Sequence, residues 1–407
     1  MTTRQTAKRF GRASPGSGKL SRMAQGTASR LGNGDPAPEM KRELFASVED
    51  MLAPEALSAL LGTPIHDLRQ VPFKTADALS GGHFLAIATN GGRGPRLVLK
   101  RFSFETDWVM RAVDDRQGRA ARVWETGLLD RLPPEIVHGY RACARDGSGW
   151  AILMDDLSPF VIAAGEDPIG GEENASFLDA MASVHVAFWD QAEAADPALG
   201  FSRLEVDYLC LTPETGRREA AGTDPVPKLI IDGWDLLLST VEPAIGDALT
   251  SLARDPGPLC RPLRAFPQTV VHADWKLGNL GLIPAANGRS RTRSSDRVVL
   301  LDWARVLAGP PANDLSWYLA VNCVRLPVSK EETIRCYRQR LESRLGRRLD
   351  ERQWEAQLEL CFLGSFLQLG WSKALGAVRG GNEEVRRRER AELDWWCEKV
   401  LPAIDRL

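Results

Sequence analysis

Apolar residues are spaced as in a folded protein from Met40 onward, and not before it. Residues 1–39 are rich in Ser, Thr, Gly, Arg and Ala, have no apolar period and end in a Gly-Asn-Gly-Asp-Pro-Ala-Pro run. That composition reads as a disordered basic tail. A short helix is predicted over 54–61, followed by strands over 67–74, 84–89 and 96–102, the last two joined by Gly91-Gly92-Arg93-Gly94, a hairpin composition. Helical spacing over 119–132 stops at Pro133-Pro134, and strands over 136–144 and 150–154 flank the turn Asp146-Gly147-Ser148-Gly149. Together these predict a small five-stranded antiparallel sheet with one internal helix.

Past Leu157 the period changes from 2 to 3.6. Helices are predicted over 175–191, 226–252, 313–326, 329–346, 350–375 and 382–404, with a strand-rich island over 269–304 between the second and third. Ser329-x-x-Glu332 has the pattern of a capping box at the start of the fourth. Within the island, Arg289, Arg291, Arg293 and Arg297 lie in a polar run that reads as a solvated hairpin tip. No aromatic residues interleave them, so they carry no sign of nucleic-acid binding.

Composition narrows the function classes. The chain has 407 residues, 43% hydrophobic and 26% charged, with a formal net charge of −2. No apolar run is long enough for a membrane span, and the near-neutral balance argues against a polyanion binder. Seven scattered cysteines without a Cys-x-x-Cys predict neither a disulfide framework nor a thiolate zinc site and fit a reducing cytoplasm. The net charge hides an asymmetry. Residues 1–34 hold seven Lys or Arg and no acid, whereas residues 151–200 hold ten acids and no Lys or Arg. An acidic field beside a cleft concentrates cationic ligands, so a cationic substrate is one expectation; solvated helix faces are the other explanation.

The chemistry is concentrated in Val271-His272-Ala273-Asp274-Trp275-Lys276-Leu277-Gly278-Asn279 and, after the predicted hairpin, Val298-Val299-Leu300-Leu301-Asp302-Trp303. Each motif follows a Val/Leu strand. An Asp and an Asn five residues apart, then a second Asp ending the next strand, suit metal-assisted phosphoryl transfer. Asp274 can orient an attacking hydroxyl and accept its proton. The Asn279 amide oxygen and the Asp302 carboxylate are hard ligands for Mg²⁺.

These motifs resemble those of the aminoglycoside phosphotransferase and choline kinase superfamily, small-molecule kinases with the protein-kinase fold. The likeness covers about 60–400. His272-Ala273-Asp274-x4-Asn279 is similar to the family's His-Gly-Asp-x4-Asn catalytic loop, Asp302-Trp303 to its metal-binding segment, and Asp314-Leu-Ser-Trp-Tyr-Leu319 to the following helix, where the Asp is structural. Arg96-Leu-Val-Leu-Lys100 resembles the third-strand lysine motif, whose expected partner is Glu125. Ser80, Gly81 and Gly82 stand where the phosphate loop lies, and Met154, Asp155 and Asp156 resemble the hinge whose backbone faces adenine. The Ala182-Ser-Val-His185 segment resembles a family helix. The resemblance implies an α+β, bilobal protein-kinase-like fold with an antiparallel-sheet N-lobe over 40–157 and a mainly helical C-lobe over 158–407. It implies phosphoryl transfer from ATP or another nucleoside triphosphate, with Mg²⁺, to a small-molecule hydroxyl acceptor, with no nucleic-acid or membrane partner. The alternative is a pseudokinase-type scaffold that binds nucleotide without turnover.

Several residues have plainer readings. His272 and His185 read as structural, Trp303 as packing, and Trp275 as either packing or an acceptor face. His83 reads as either exposed loop or phosphate contact. Ala273 replaces the family's Gly, which is harmless where φ is negative. Arg305 either contacts phosphate or leaves the cleft.

Overall fold

Alternation along 96–102 sets the architecture of the small sheet. Leu97 and Leu99 point to one face and Val98, Lys100 and Phe102 to the other. The computed structural model describes residues 42–73, 82–191, 199–284 and 297–407. The basic tail, Ser80, Gly81 and three of the hairpin arginines (Arg289, Arg291, Arg293) lie outside the described residues. The sheet runs β1 (Leu68–Pro72), β2 (His83–Thr89), β3 (Arg96–Phe102), β6 (Gly149–Asp155), β5 (Tyr140–Asp146), antiparallel throughout. Leu97 and Leu99 join Met51 of α1 (Val48–Met51) and Leu57 of α2 (Pro54–Leu61) in a local core. On the opposite face Phe102 and Ile152 enter the main core, and Lys100 is buried among them.

Between β3 and β5 lie α3 (Trp108–Ala112) and α4 (Arg119–Glu125). The helix expected over 119–132 ends early, because Gly127 takes a left-handed φ of 72° and the chain continues as a short 3₁₀ turn, Leu128–Arg131. The strand expected over 136–144 is likewise divided at Gly139, φ 75°. Its first part, β4 (Ile136–Val137), leaves the five-stranded sheet and pairs in parallel with β9 (Arg297–Leu300), which pairs on its other side with β8 (Leu280–Ile283).

The remainder is mainly helical: α5 (Gly171–Ala187), α6 (Leu204–Leu209), α7 (Pro213–Glu219), α8 (Val226–Thr240), α9 (Pro243–Leu252) and α10 (Gly257–Leu263), then, after the strands, α11 (Ala312–Val321), α12 (Lys330–Leu345), α13 (Glu351–Arg379) and α14 (Glu383–Ile404). The single helix expected over 226–252 is two, because Pro243 opens a new first turn after an extended Val241. Only half of the expected capping box forms: Ser329 Oγ accepts from Glu332 N at 3.1 Å, while the Glu332 carboxylate turns to Arg335 and Cys336. The two-stranded pair β7 (Thr269–Val271) and β10 (Leu307–Gly309) completes the island. Among the described residues, no helix is long and apolar enough to cross a membrane, and all seven cysteines are free.

Candidate active site

β7 ends at Val271, and the next residues are held by a single carboxylate. Asp314, fully buried in the first turn of α11, accepts from His272 N at 2.9 Å, Ala273 N at 2.7 Å and Trp275 Nε1 at 2.9 Å. His185 Nε2 on α5 lies 3.0 Å away, and the other ring nitrogen meets Tyr337 OH at 2.5 Å. Four donors saturate one buried charge, which is what makes such burial tolerable. Asp314 and His185 are therefore supports of the loop. The same clamp holds Ala273 at φ 62°, in the left-handed region, so the condition under which the alanine would be harmless, a negative φ, is not met. A glycine adopts that conformation without a Cβ penalty, which accounts for the residue type the motif otherwise carries there.

His272 bridges the two motifs. Its Nε2 donates to Leu301 O at 2.9 Å, and its Nδ1 accepts from Asp274 N at 3.2 Å, which fixes the tautomer. Burial pushes this imidazole below its ordinary pKa, with Asp314 pulling the other way, so it is a neutral strut. Trp303 packs edge-on against His272 with ring centroids 4.7 Å apart, and both Trp303 and Trp275 are fully buried. With the Trp275 indole N–H on Asp314, packing is the role of both tryptophans.

Asn279 Nδ2 donates to Asp274 O at 3.0 Å and to Asp274 Oδ2 at 2.9 Å, so its amide oxygen points away from Asp274, available to a cation. Leu301 N donates to Asn279 O at 2.9 Å, linking the loop to the strand that presents Asp302. Asp302 takes φ 61°, ψ 74°, a second left-handed residue. Its Oδ1 lies 2.8 Å from Lys100 Nζ, a contact between residues 202 positions apart. Burial works to raise the Asp302 carboxyl, but Lys100 and then Lys276 outweigh it and hold it at about 2. Gly82 lies against the same lysine, since a Cβ added there would come 3.6 Å from Lys100 Cε. His83 is exposed at the start of β2.

Two sequence expectations change here. Lys100 does not pair with Glu125. That carboxylate, on the partly exposed side of α4, pairs with Arg122 one turn back at 3.2 Å, while Asp302 takes the ammonium. The hinge is also more occupied than expected. Asp155 N donates to Gly139 O and Asp156 N to Arg96 O, and Met154 lies in strand pairing with Val98 and Tyr140.

Other residues at the site had no role assigned from sequence, or two open ones. Lys276 Nζ lies 3.4 Å from Asp274 Oδ2, and Asp274 holds the ammonium above its ordinary pKa. Asn322, at the end of α11, accepts from Leu277 N at 2.9 Å and donates to Trp275 O at 2.8 Å. Arg305 leaves the phosphate side: it forms a two-bond pair with buried Asp207 on α6 and stacks on Trp317 at 4.2 Å. Four of the ten acids in the acidic window meet arginines from elsewhere: Asp155 meets Arg141, Asp156 Arg96, Glu166 Arg388 and Asp179 Arg344. A cavity of about 530 Å³ between α3, α6 and α7, lined by Phe104, Arg111, Thr215 and Arg218, touches none of the Asp274 constellation.

Among the described residues no group of three or more His, Cys, Asp or Glu is arranged to hold a metal. One carboxylate with one amide oxygen fits Mg²⁺, which takes few protein ligands and fills its shell with water and phosphate. No family model matches the chain, and no curated protein matches its sequence. Among solved structures it is similar to an ethanolamine kinase of Plasmodium vivax, at 12% identity over 88% of this chain and 87% of that one, TM-score 0.49. It is similar to a choline kinase of Streptococcus pneumoniae, at 12% over 84% and 96%, TM-score 0.44. It is also similar to an aminoglycoside 2′-phosphotransferase IIIa, at 13% over 84% and 91%, TM-score 0.39. At these identities the chemistry has to be read from the site's own geometry.

Proposed function

We propose that the chain is an ATP- and Mg²⁺-dependent phosphotransferase acting on a hydroxyl group of a small molecule. The observation that carries this is the cluster in which Lys100 meets Asp302 while His272 and the Leu301–Asn279 bond join Asp302's strand to Asp274. A surface Asp and Asn satisfying ordinary turns would not be wired to a buried lysine from a separate sheet. Asp274, oriented through Oδ2 by Asn279, accepts the proton of the attacking hydroxyl. The Asn279 amide oxygen and the Asp302 carboxylate, ionised across the physiological range, would hold the metal. When bound, Mg²⁺ supplies charge neutralisation on the nucleotide phosphates. Lys100 and the Gly82 backbone would hold phosphate oxygens, and Lys276 adds a second cation facing the transferred group.

The decisive variant is Asp274→Asn. It should lower ATP turnover by roughly 10²–10⁴-fold with any accepted substrate while nucleotide binding, measured by calorimetry, survives. Wild-type protein that binds Mg-ATP but turns over with no acceptor in a broad screen would favour the scaffold reading instead. The cationic acceptor is a finer proposal within this one. Because arginines pair with four of the ten acids in the window, it stands only if aminoglycosides, amino sugars and amino alcohols give more turnover than neutral sugars and nucleosides. The free cysteines agree with the cytoplasm as the place of action.

A further inference from the structure

α13 buries a lysine that the proposed chemistry does not use. Lys373 is 7% exposed, and among the described residues it makes no ion pair; its Nζ donates to Cys323 Sγ at 2.9 Å. Two carboxylates on α14 act on the lysine: Glu392, whose Oε1 meets Lys330 at 2.6 Å while its buried Oε2 has no hydrogen-bond partner, and Glu389, which lies 3.5 Å from Arg388. Burial works to lower the Lys373 ammonium, but Cys323, Glu389 and Glu392 outweigh it and hold the lysine above its ordinary pKa, so what sets this pair apart is its geometry: a buried amine in contact with a thiol. Cys323 itself stays partly exposed, so small oxidants can reach it. Its nearest amine is held by a helix at a separation too long for a direct bond but spanned by one intervening atom.

We propose that Cys323 and Lys373 are a modification site: an oxidative cross-link in which a single oxygen joins Sγ to Nζ. The oxidant class is a hydroperoxide. The first equivalent breaks the Cys323 S–H bond and leaves the sulfenic acid and one water. The lysine releases its extra proton to solvent. The second equivalent then takes one N–H hydrogen and the sulfenic O–H hydrogen as the O–N bond closes, releasing two waters. Sulfur and nitrogen each lose two electrons, and the two peroxides are reduced. A thiol-based reductant reverses the reaction.

The product replaces the ammonium–thiol contact in the core with a neutral covalent link. It also closes a 50-residue loop between the end of α11 and α13. Cys323 follows Asn322, the residue that bonds Leu277 N and Trp275 O, so the bridge anchors the segment behind the Asp274 loop.

The test uses the full chain purified in reductant, treated with hydrogen peroxide, digested and sequenced by mass spectrometry. The expected result is a linked pair of peptides carrying Cys323 and Lys373, heavier than their sum by one oxygen less two hydrogens, and separated by dithiothreitol. The thermal midpoint of the oxidised protein should rise by a few degrees and fall back on reduction. Both effects should be absent in Cys323→Ser and in Lys373→Arg, which keeps the charge but cannot form the bridge. If Lys373→Arg fails to fold, the wild-type peptide map still decides. Cys323 recovered as sulfenic or sulfinic acid with Lys373 free, a pair lighter by two hydrogens only, or an unmodified Cys323 would each overturn the proposal.

Discussion

Replacing Asp314 with Asn tests how the loop around Asp274 is held. The carboxylate takes one donor on Oδ1, from Ala273 N, and three on Oδ2, from His272 N, Trp275 Nε1 and His185. An asparagine fits least badly with its NH₂ group in the Oδ1 place, where it faces one donor instead of three. Ala273 N then loses its acceptor, which costs about 1–3 kcal/mol for an unsatisfied buried group. The remaining three bonds lose their charge assistance, together about 2 kcal/mol more. The sum, about 3–5 kcal/mol, is a large share of the ~5–15 kcal/mol that holds a typical domain together. Urea unfolding followed by both circular dichroism and tryptophan fluorescence should show the midpoint fall accordingly, with turnover lost along with loop order. A loss under about 1 kcal/mol would refute the claim that this one carboxylate organises the loop. Asp314→Ala strands all four donors and should not accumulate as folded protein.

Other substitutions separate the remaining roles. Ala273→Gly should stabilise the protein by about 0.5–1 kcal/mol, as relief of the left-handed alanine outweighs the added entropy of the unfolded glycine, measurable by the same urea titration. Because Asp302 titrates at about 2 rather than its ordinary 3.8, its contribution is complete above the unfolded value. That contribution, roughly 2 kcal/mol before solvent screening, is lost as pH falls through the folded one. Lys100→Met should raise the Asp302 titration and flatten that acid limb in unfolding experiments from pH 5 to 1.5. Glu125→Gln should change turnover at most a few-fold, since Arg122 and not Lys100 is its partner; a loss as large as that of Lys100→Met would show that Glu125 reaches the lysine during turnover. Asn279→Ala should raise the Mg²⁺ concentration for half-maximal turnover by about 10–100-fold, read from a metal titration at saturating nucleotide.

Local patterns predicted most of the elements and singled out Asp274, Asn279 and Asp302, which the fold brings into one linked cluster, because strand alternation, helix period and the Asp274-x4-Asn279 spacing are written over a few residues. They failed where tertiary partners choose among chemically equal options. Lys100 had a plausible partner in Glu125 on the next helix, and its ion pair formed instead with a carboxylate two hundred residues on. Ala273 looked harmless because nothing in its side chain reports the φ that Asp314 imposes. Lys276 was visible as part of a motif but had no role until its ammonium was seen beside Asp274. Asn322 and Asp207 had no sequence signal at all, since their partners Leu277, Trp275 and Arg305 lie 45 or more residues away. The breaks at Gly127 and Pro243 were different: the signal was present in the residues themselves and was outweighed by an unbroken apolar period.

The parallel pairing of β4 with β9 has a consequence for synthesis of the chain. Val137 and Val299 are partners, so β4 emerges from the ribosome about 160 residues before the strand that completes it. At roughly 5–20 residues per second, its open edge waits on the order of ten to thirty seconds. Two residues are too short to template much pairing, and the brevity of β4 is itself a protection against association with neighbouring nascent chains. Lengthening that strand by filling Gly139 with a β-branched residue would extend an unpaired edge through this interval, and the yield of soluble protein, more than its final stability, is where the change would be felt.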